Sequence, residues 1–399
     1  LHGGGESMSD VFSLLHHQLQ EFLAERDWEP TPVQEQAIPE LIDGRERLLV
    51  APTGSGKTLA AVLPLLHRCK TEDWKPLSIL YITPLRALNR DVDRRLAELS
   101  EALDLRFALR HGDTPTSERS RQVRRPPHLL VTTPETFQLM FTGHRLRAML
   151  SSVQAVIIDE VHDLAASERG WQLRLGLQRL EALCGRTLQK IGLSATVGNP
   201  DHVASWISNG SCQPILAPAE RTTVLTVETA PPLTEDEVGA MEMRLSPRAH
   251  ATFRLLSEII EKDPPCLVFV NSRNAAETVA QRLQTMAPQL TIGVHHGSLA
   301  AETRQEMEEN IRNGTLQALI CTSSLELGID VGSIRKIVQL ESPRSVDRML
   351  QRVGRADHRI GGIGRGHLLA WETDGIAESA VVAHRSHLGA IEDIEWRHR

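Results

Sequence analysis

Short apolar runs alternate with longer amphipathic stretches along most of the chain. The runs are too short to cross a bilayer and are typical of strands in a parallel sheet that helices cover on both faces. In the first half the runs lie at residues 48–50, 79–83, 105–109, 128–132, 155–158 and 189–193. In the second half they lie at residues 266–270, 291–294, 318–321, 336–340 and 367–370. The pattern predicts two α/β domains that share one architecture.

The alternation lapses between the two halves, where prolines and acidic residues accumulate. Residues 218–247 are therefore predicted to be a linker that carries an edge strand at residues 222–227. The first domain is predicted to span residues 9–217, and the second domain residues 248–399. Residues 1–8 resemble a tag or linker and are left outside the predicted fold.

Composition and charge narrow the class of protein. The chain has 399 residues, of which 41% are hydrophobic and 24% are charged, enough for two or three domain cores. No apolar run predicts a membrane span. Its five cysteines include no C-x-x-C pair, which indicates neither a zinc site nor a disulfide framework and fits a reducing cytoplasm. The net charge of −7 argues against binding of nucleic acid through a generally basic surface. Any contacts with phosphates would have to come from backbone amides, helix N-termini and a few placed arginines.

The segment from Ala51 to Thr58 has the pattern of a phosphate-binding loop between a strand and a helix. Its predicted nucleotide-binding residues are Thr53, Gly54, Ser55, Gly56, Lys57 and Thr58. The two glycines let the backbone curl so that its N–H groups face the β- and γ-phosphates. Lys57 supplies charge, and Thr58 places a hydroxyl on Mg²⁺. The alternative is a chance glycine and serine turn before a helix.

Asp159 and Glu160 directly follow the apolar run at residues 155–158. Their position predicts that Asp159 holds Mg²⁺ and that Glu160 polarises an attacking water. Two carboxylates at the end of a buried strand are unfavourable without a cation or a donor, which disfavours the alternative of a solvated strand end. His162 is either a residue facing the other domain or a packed core histidine. Gln34 either reads an adenine edge or is a solvated helix glutamine.

The second half carries two arginines on a helix predicted to begin near Ser345. The i, i+3 spacing of Arg352 and Arg355 places them on one helix face. Arginines aimed at a cleft can stabilise charge on a transferring γ-phosphoryl group, a role worth about 10³–10⁵ in rate. The alternative is a surface helix with solvated arginines. Asp330 follows a short apolar segment and could accept hydrogen bonds from ribose hydroxyls.

Six segments, taken in order, resemble the core of the superfamily 2 helicases over about residues 8–388. The segments are Pro-Thr-Gly-Ser-Gly-Lys-Thr58, Thr-Pro-Leu-Arg-Ala-Leu88, Asp-Glu-Val-His162, Ser-Ala-Thr196, Thr-Ser-Ser-Leu-Glu-Leu-Gly-Ile-Asp330 and Gln-Arg-Val-Gly-Arg355. Within that superfamily the chain resembles the large helicase-related (Lhr) group rather than the DEAD-box RNA helicases. The supporting segments are Asp-Glu-Val-His162, His-Gly-Asp-Thr114, Ser-Ala-Thr-Val-Gly-Asn-Pro200, Ser-Leu-Glu-Leu-Gly-Ile-Asp330 and Glu-Ser-Pro-Arg-Ser-Val346.

The resemblance implies two tandem RecA-like domains, each a mostly parallel sheet flanked by helices, with an ATP cleft between them. It implies ATP and Mg²⁺ as cofactors and movement 3′ to 5′ along single-stranded DNA. It also implies unwinding of DNA or DNA–RNA duplexes, in repair or recombination. The implied ATP-site residues outside the loop are Gln34, Asp159, Glu160, Gly328, Asp330, Arg352 and Arg355, and the implied coupling residues are His162, Ser194, Thr196 and Gln351.

The same resemblance implies contacts with single-stranded DNA or RNA at strand ends and helix starts. In the first domain these residues are Pro84, Arg86, Gly112, Asp113, Thr133 and Pro134. In the second domain they are Ser272, Arg273, Gly297, Thr322 and Ser323. Small and hydroxylic residues at such positions grip phosphates and read no sequence. Each residue taken alone could be only part of a turn.

Two departures from the family pattern keep other functions open. Asp357 stands where the family usually has glycine, beside the two arginines. The family usually continues into winged-helix and further domains, whereas this sequence stops at Arg399, so we expect a core or fragment that lacks such domains or relies on a protein partner. One alternative is an ATP-dependent RNA helicase or remodeller that does not translocate. The other is a nucleotide-gated nucleic-acid clamp with little turnover.

Overall fold

The computed structural model describes residues 11–52, 54–84, 90–208, 210–217, 223–326, 334–355 and 364–394. The chain divides into two compact units, Leu1–Pro218 with Asp393–Arg399 and Ala219–Glu392. Each unit is a parallel sheet flanked by helices, which confirms the predicted fold class. Five residues that carry predictions lie outside the described residues: Thr53, Arg86, Gly328, Asp330 and Asp357.

The first unit is built on a seven-stranded parallel sheet with the order β3-β4-β2-β5-β6-β1-β7. Its strands are β1 (Arg47–Val50), β2 (Ile79–Ile82), β3 (Phe107–Arg110), β4 (Leu129–Thr132), β5 (Ala155–Ile158), β6 (Gln189–Ser194) and β7 (Gln213–Leu216). Its helices are α1 (His17–Ala24), α2 (Pro32–Ile42), α3 (Lys57–Thr71), α4 (Arg90–Ala102), α5 (Thr116–Arg124), α6 (Pro134–Met140), α7 (His144–Leu150), α8 (Val161–Ala165), α9 (Glu168–Cys184) and α10 (Pro200–Ile207).

The central strands of this sheet are buried on both faces because successive side chains point to opposite sides. Leu49, Tyr81 and Ile157 join the hydrophobic cluster that includes α2 and α3. Leu48 and Ile158 join the cluster on the other face, which includes α9 and α10. The predicted apolar runs are strands in the structure, and their side chains are buried because helices cover both faces of the sheet.

Strand β7 was missing from the prediction. It contains Pro214 and lies at the edge of the sheet, where it pairs with β1 alone. Leu216 in this strand is exposed while Ile215 is buried. A proline is tolerated at a sheet edge because its missing N–H is not needed there. The proline made the segment resemble the linker that follows it.

The second unit repeats the strand order of the first, β10-β11-β9-β12-β13-β8, in a six-stranded parallel sheet. Its strands are β8 (Thr223–Glu228), β9 (Cys266–Phe269), β10 (Ile292–His295), β11 (Ala318–Cys321), β12 (Lys336–Leu340) and β13 (Gly364–Leu369). Its helices are α11 (Thr234–Met243), α12 (Pro247–Lys262), α13 (Arg273–Met286), α14 (Ala301–Arg312), α15 (Val346–Val353) and α16 (Thr373–His387).

None of the helices described is both long enough and apolar enough to cross a membrane. All five cysteines are free thiols in the structure. Cys266 and Cys321 are buried in strands β9 and β11.

The stretch predicted as a linker, residues 218–247, contributes two elements to the second unit. Strand β8 pairs with β13 at the edge of the sheet, and α11 packs against α12. The buried carboxylate of Asp236 joins these helices, because it accepts hydrogen bonds from the Leu233 N–H at 2.8 Å and the His250 ring at 2.8 Å. The Arg254 guanidinium also donates to it at 3.2 Å. An acidic stretch thus forms a helix because its central carboxylate is satisfied by α12.

Asp236→Asn is expected to destabilise the second unit in a pH-dependent way. Burial opposes the charge of Asp236, but its hydrogen bonds, led by Arg254, lower its pKa from 3.8 to about 2. The charged Asp236 therefore stabilises the second unit fully at pH values above its unfolded-state pKa of 3.8, and this stabilisation is lost as the pH falls toward 2. We expect a loss of about 1–2 kcal/mol in the free energy of unfolding at pH 7, shrinking toward pH 3.5.

Urea unfolding followed by circular dichroism at pH 7, 5 and 3.5 measures this difference. Glu258→Gln is the matched control, since Glu258 contacts the same Arg254 from an exposed position. A loss that is equal at all three pH values, or equal in the two variants, would contradict the role given to Asp236.

Candidate functional site

The loop between β1 and α3 has the curled backbone of a phosphate-binding loop. Gly54 and Gly56 have φ angles of +81° and +88°, in the left-handed region that glycine adopts without strain. Gly56 is the N-cap of α3, so Lys57 and Thr58 occupy the first turn of that helix. The N–H groups of a first helical turn lack intrahelical partners and can bind an anion.

Lys57 bends back over this loop. Its ammonium group donates to the carbonyl oxygen of Pro52 at 2.8 Å and also to that of Ala51. Burial lowers the pKa of Lys57, while the negative charges of Glu160 and Asp159 act in the opposite direction. The ammonium group is therefore held at the loop by neutral carbonyls and lies within the field of two carboxylates.

Gln34 is tied to the same loop from α2. Its side chain is only 4% exposed, which excludes the alternative of a solvated helix glutamine. The amide nitrogen donates to the carbonyl of Gly56 at 3.3 Å, and the amide oxygen accepts from the Thr31 N–H at 3.0 Å. Both ends of the amide are engaged, so Gln34 fixes the loop against the start of α2. Its contact with adenine stays a prediction.

Asp159 and Glu160 lie at the end of β5, beside the loop. The Asp159 carboxylate accepts from the Tyr81 hydroxyl at 2.7 Å and from the Glu160 N–H at 2.9 Å. Burial and the charge of Glu160 raise the pKa of Asp159, against the Tyr81 hydrogen bond and the charge of Lys57. Glu160 has a φ of +48°, an uncommon conformation for a residue other than glycine. A solvated strand end is excluded by these contacts.

His162 connects the carboxylates to the end of β6. The Ala195 N–H donates to Nδ1 of His162 at 3.3 Å, and the Ser194 hydroxyl lies 3.3 Å from the same nitrogen. Because Nδ1 accepts, a neutral ring carries its proton on Nε2, which faces the Glu160 carboxylate at 3.5 Å. His162 is thus both a buried residue and a link between Glu160 and the Ser194 segment. Thr196 makes no hydrogen bond within the described part of the unit.

The residues predicted to hold Mg²⁺ fit that ion. Among the described residues, no group of three or more His, Cys, Asp and Glu side chains could hold a metal by itself. Mg²⁺ bound with a nucleotide needs only one or two protein oxygens, because phosphates and waters supply the rest. The Tyr81 hydroxyl donates to Asp159 at 2.7 Å. Burial raises the pKa of Tyr81 and the Thr58 side chain acts against this, so both predicted ligands lie near the same hydroxyl.

In the second unit, Arg352 and Arg355 converge on Glu326. Arg352 is 2% exposed and Arg355 is 4% exposed, which excludes the alternative of solvated surface arginines. The Arg352 guanidinium donates to the Glu326 carboxylate at 2.7 Å and also to Gln339. It lies over the ring of Phe269 at 5.1 Å. Arg355 instead donates to the backbone carbonyl of Glu326 at 2.5 Å.

Helix α15, which carries Gln351 and Arg352, ends earlier than the prediction implied. Its C-cap is Gly354, so Arg355 lies just beyond the helix, as expected where glycine disfavours helix continuation. At its N-terminus, the Glu392 carboxylate accepts from the N–H groups of Val346 at 3.0 Å and Asp347 at 3.3 Å. A carboxylate in this position stabilises the helix through its dipole. Glu392 thus supports the helix that positions Arg352.

The residues predicted to touch nucleic acid in the first unit follow three adjacent strands, β3, β4 and β2. Gly112 and Asp113 are exposed, and Arg119 donates to the Gly112 carbonyl at 2.6 Å. Thr133 and Pro134 are instead buried, and Thr133 caps α6 by accepting from the Thr136 N–H at 3.3 Å. The same edge is braced by residues that were not predicted. Arg169 on α9 donates to the Pro84 carbonyl at 3.1 Å and to Glu135 at 2.6 Å.

The corresponding residues of the second unit follow the corresponding strands, β10, β11 and β9. Ser272 caps α13 by accepting from the Ala275 N–H at 3.1 Å, and Arg273 donates to the Ser298 hydroxyl. These two residues line a pocket of about 390 Å³ together with Asn274, Glu277, His296 and Ser298. A helix N-terminus, an arginine and hydroxyl groups in one pocket are suited to a phosphate.

Thr322 and Ser323, which follow β11, are held in place by an unpredicted histidine. His295 is fully buried and lies 2.8 Å from the Ser324 hydroxyl and 3.1 Å from the Glu308 carboxylate. Thr322 is buried, whereas Ser323 is exposed and available to a ligand. His295 therefore fixes the turn that presents Ser323.

Tyr81, Glu326, Arg169 and Glu392 were not identified from the sequence. Only Tyr81 carried a local signal, because it is the one tyrosine of the chain and stands inside an otherwise aliphatic buried strand. A buried hydroxyl needs a hydrogen-bond partner, so such a residue indicates a polar group nearby. The other three act on residues far away in sequence, which no local pattern reveals.

Two protein-family models match the chain. The DEAD/DEAH box helicase family matches residues 31–203, within the first unit. The helicase conserved C-terminal domain matches residues 251–361, within the second. The matched regions include the phosphate-binding loop, the paired carboxylates and both arginines.

Individual proteins that are similar to the chain are also named as helicases, and they are longer than this chain. The ATP-dependent helicase Lhr-Core of Methanothermobacter thermautotrophicus is 35% identical over 97% of this chain and 47% of its own length. The Lhr helicase/uracil glycosylase of Escherichia coli is 34% identical over 94% of this chain and 29% of its own length. The chain thus spans about half or less of the length of these relatives.

Solved structures also resemble the chain. The structure of Mycobacterium smegmatis helicase Lhr bound to ssDNA and AMP-PNP has a TM-score of 0.84 and 35% identity, covering 97% of this chain and 52% of that one. Dbp5 of S. cerevisiae, bound to RNA and ADP BeF3, has a TM-score of 0.71 at 18% identity over 96% of this chain and 95% of that one. The second likeness concerns the fold alone.

Alanine substitutions at the two loop glycines should separate backbone strain from contact with Gln34. A Cβ at Gly56 would lie 2.6 Å from the Gln34 amide nitrogen, whereas a Cβ at Gly54 would meet nothing within 4 Å. Both positions have a left-handed φ, which costs about 1–2 kcal/mol for an L-residue. Gly56→Ala should lose about a further 1 kcal/mol in the free energy of unfolding, since it displaces a hydrogen-bonded amide. Denaturant unfolding of the two variants measures this, and equal losses would contradict it.

Proposed function

We propose that this chain, which matches the DEAD/DEAH box helicase model over residues 31–203 and is similar to Lhr helicases, is an ATP-driven motor on single-stranded nucleic acid. The observation that carries the proposal is the convergence of the Lys57 loop and the Asp159 and Glu160 pair at one end of a parallel sheet. Ligands of such sheets bind at the carboxyl ends of the strands. We further propose that it moves 3′ to 5′ on DNA and unwinds DNA or DNA–RNA duplexes in repair or recombination.

In this proposal the first unit binds the nucleotide. The N–H groups of the loop and the Lys57 ammonium hold the phosphates, and releasing Lys57 from the Pro52 and Ala51 carbonyls makes it available to them. Thr58 and Asp159 would hold Mg²⁺, which when bound neutralises charge on the β- and γ-phosphates. Gln34 lies against the same loop and would contact the base.

Glu160 is the proposed group that orients the attacking water. Its half-exposed carboxylate follows a left-handed backbone that turns it away from the strand, and Nε2 of His162 faces it at 3.5 Å. His162 also accepts from the Ala195 N–H, so a displacement of the Ser194 segment would move the ring that orients Glu160. We propose this contact as the coupling between nucleotide state and grip on the strand.

Arg352 and Arg355 of the second unit would act on the γ-phosphate with different roles. Arg352 is bound to a buried carboxylate and to Gln339, and taking it from Glu326 would leave an unpaired buried charge. Arg355 donates to the backbone carbonyl of Glu326, and a charge-assisted hydrogen bond to a phosphate would be stronger than this one. We therefore propose Arg355 as the arginine that stabilises the transition state and Arg352 as its support.

Single-stranded nucleic acid would bind along the strand ends that both units present. Exposed groups at these ends include Gly112, Asp113, Arg273 and Ser323. The chain has one tyrosine and seven phenylalanines, which favours backbone contacts over extensive base stacking. The similar Mycobacterium smegmatis helicase Lhr was solved with ssDNA, which supports DNA as the strand. The free thiols fit a reducing cytoplasm as the place of action.

Displacement of streptavidin from biotinylated strands tests the proposal. We expect ATP-dependent displacement from the 5′ end of single-stranded DNA and little from the 3′ end, because a 3′ to 5′ motor runs toward the 5′ end. Lys57→Ala should abolish displacement. Lys75→Ala is the matched control, since this lysine of the first unit is exposed and remote from the loop in sequence.

The rival functions give different results in the same assay and in strand binding. A local RNA remodeller would displace streptavidin from neither end, yet would separate short RNA duplexes regardless of tail polarity. A nucleotide-gated clamp would do neither, although ATP would change its affinity for the strand. Displacement from the 3′ end would contradict the proposed direction while leaving the motor intact.

A further inference from the structure

Tyr81 occupies a position in the first unit that packing alone does not explain. It is the one tyrosine of the chain and is fully buried in β2. Its ring joins the hydrophobic cluster on the α3 face of the sheet. Strand β2 pairs with β5 so that Tyr81 lies opposite Ile157, and the phenol is long enough to reach the end of β5 from there.

The Tyr81 hydroxyl contacts one of the residues that are predicted to bind Mg²⁺. It donates to Oδ2 of Asp159 at 2.7 Å, because a carboxylate can only accept. Burial raises the pKa of Tyr81, whereas the Thr58 side chain acts in the opposite direction, so Thr58 lies close to the same hydroxyl.

The hydrogen bond from Tyr81 restricts one of the predicted cation ligands. Asp159 is fixed at both oxygens, by Tyr81 at Oδ2 and by the Glu160 N–H at Oδ1, so the carboxylate plane cannot rotate freely. Partners of this kind, which orient metal ligands without touching the metal, often set metal affinity.

We propose that Tyr81 is a positioning residue for the divalent cation, and that its hydroxyl holds Asp159 in the orientation that binds Mg²⁺ with a nucleotide. This inference rests on the proposed nucleotide site of the first unit. It assigns to the hydroxyl a role that a phenylalanine could not take, although the ring of phenylalanine would fill the same space. The hydrophobic cluster requires only the ring.

Tyr81→Phe is the direct test, because it removes one oxygen and keeps the ring. Binding of a fluorescent ADP analogue is measured in EDTA and across a Mg²⁺ titration, using the whole chain. We expect the affinity in EDTA to be unchanged and the Mg²⁺ concentration for half-maximal binding to rise about 10-fold or more. Ser100→Ala is the matched control, since it also removes a buried hydroxyl from the first unit, on α4 away from the loop.

A second measurement reports on Tyr81 itself and does not depend on activity. Incorporation of 3-fluorotyrosine gives a single ¹⁹F resonance, because the chain contains one tyrosine. With ADP bound, Mg²⁺ should shift this resonance, and Mn²⁺ in its place should broaden it strongly through its unpaired electrons. Ca²⁺ in place of Mn²⁺ is the diamagnetic control and should leave the line narrow.

The outcomes separate this inference from the function on which it rests. Equal loss of nucleotide affinity with and without Mg²⁺ in Tyr81→Phe would show a packing role and overturn the inference. An unchanged Mg²⁺ titration, or a ¹⁹F line that ignores both cations, would also overturn it while wild-type binding of nucleotide left the proposed function standing. A wild-type chain that binds no nucleotide under any condition would overturn the proposed function and this inference together.

Discussion

The first unit depends on the placement of two adjacent carboxylates at the end of a strand that is buried on both faces. Asp159 and Glu160 would be unstable there without donors, since the loss of water and their mutual repulsion both oppose ionisation. The structure supplies the Tyr81 hydroxyl, a backbone N–H and the nearby Lys57 ammonium. Tyr81 on β2 and Lys57 at the start of α3 bring two of these groups to the end of β5.

The second unit meets the opposite requirement, the burial of positive charge. Arg352 and Arg355 are almost inaccessible to solvent, and Glu326 accepts from both, from one through its carboxylate and from the other through its carbonyl. The two units use the same order over six strands, and among the described residues a phosphate-binding loop is found in the first unit only. The two units therefore share one architecture but differ in the charged side chains that they hold. Anionic side chains and a lysine gather in one unit, and buried arginines in the other, as the chemistry of a nucleotide phosphate requires.

Much of this arrangement could be predicted from the sequence, because its signals are local. Apolar runs predicted the strands, and the order of glycines, Lys57 and Thr58 predicted the loop. The contacts between residues that lie far apart in the sequence could not be predicted. Strand β7 was hidden by Pro214, which a sheet edge tolerates, and α11 by an acidic stretch whose Asp236 is neutralised by α12. The sequence around Glu326 does not indicate that it pairs with Arg352, because only the fold brings the two residues together.

We propose that the Lys57 loop of the first unit and Arg355 of the second unit are both needed for ATP hydrolysis, which a bound strand stimulates. Steady-state ATP hydrolysis tests it most directly, measured alone, with single-stranded DNA and with single-stranded RNA, in the wild type, Glu160→Gln and Arg355→Ala. The account predicts strong stimulation by DNA in the wild type and its loss in both variants, by about 10³-fold for the arginine. Hydrolysis that a strand does not stimulate, or that survives Arg355→Ala at the wild-type rate, would contradict the account.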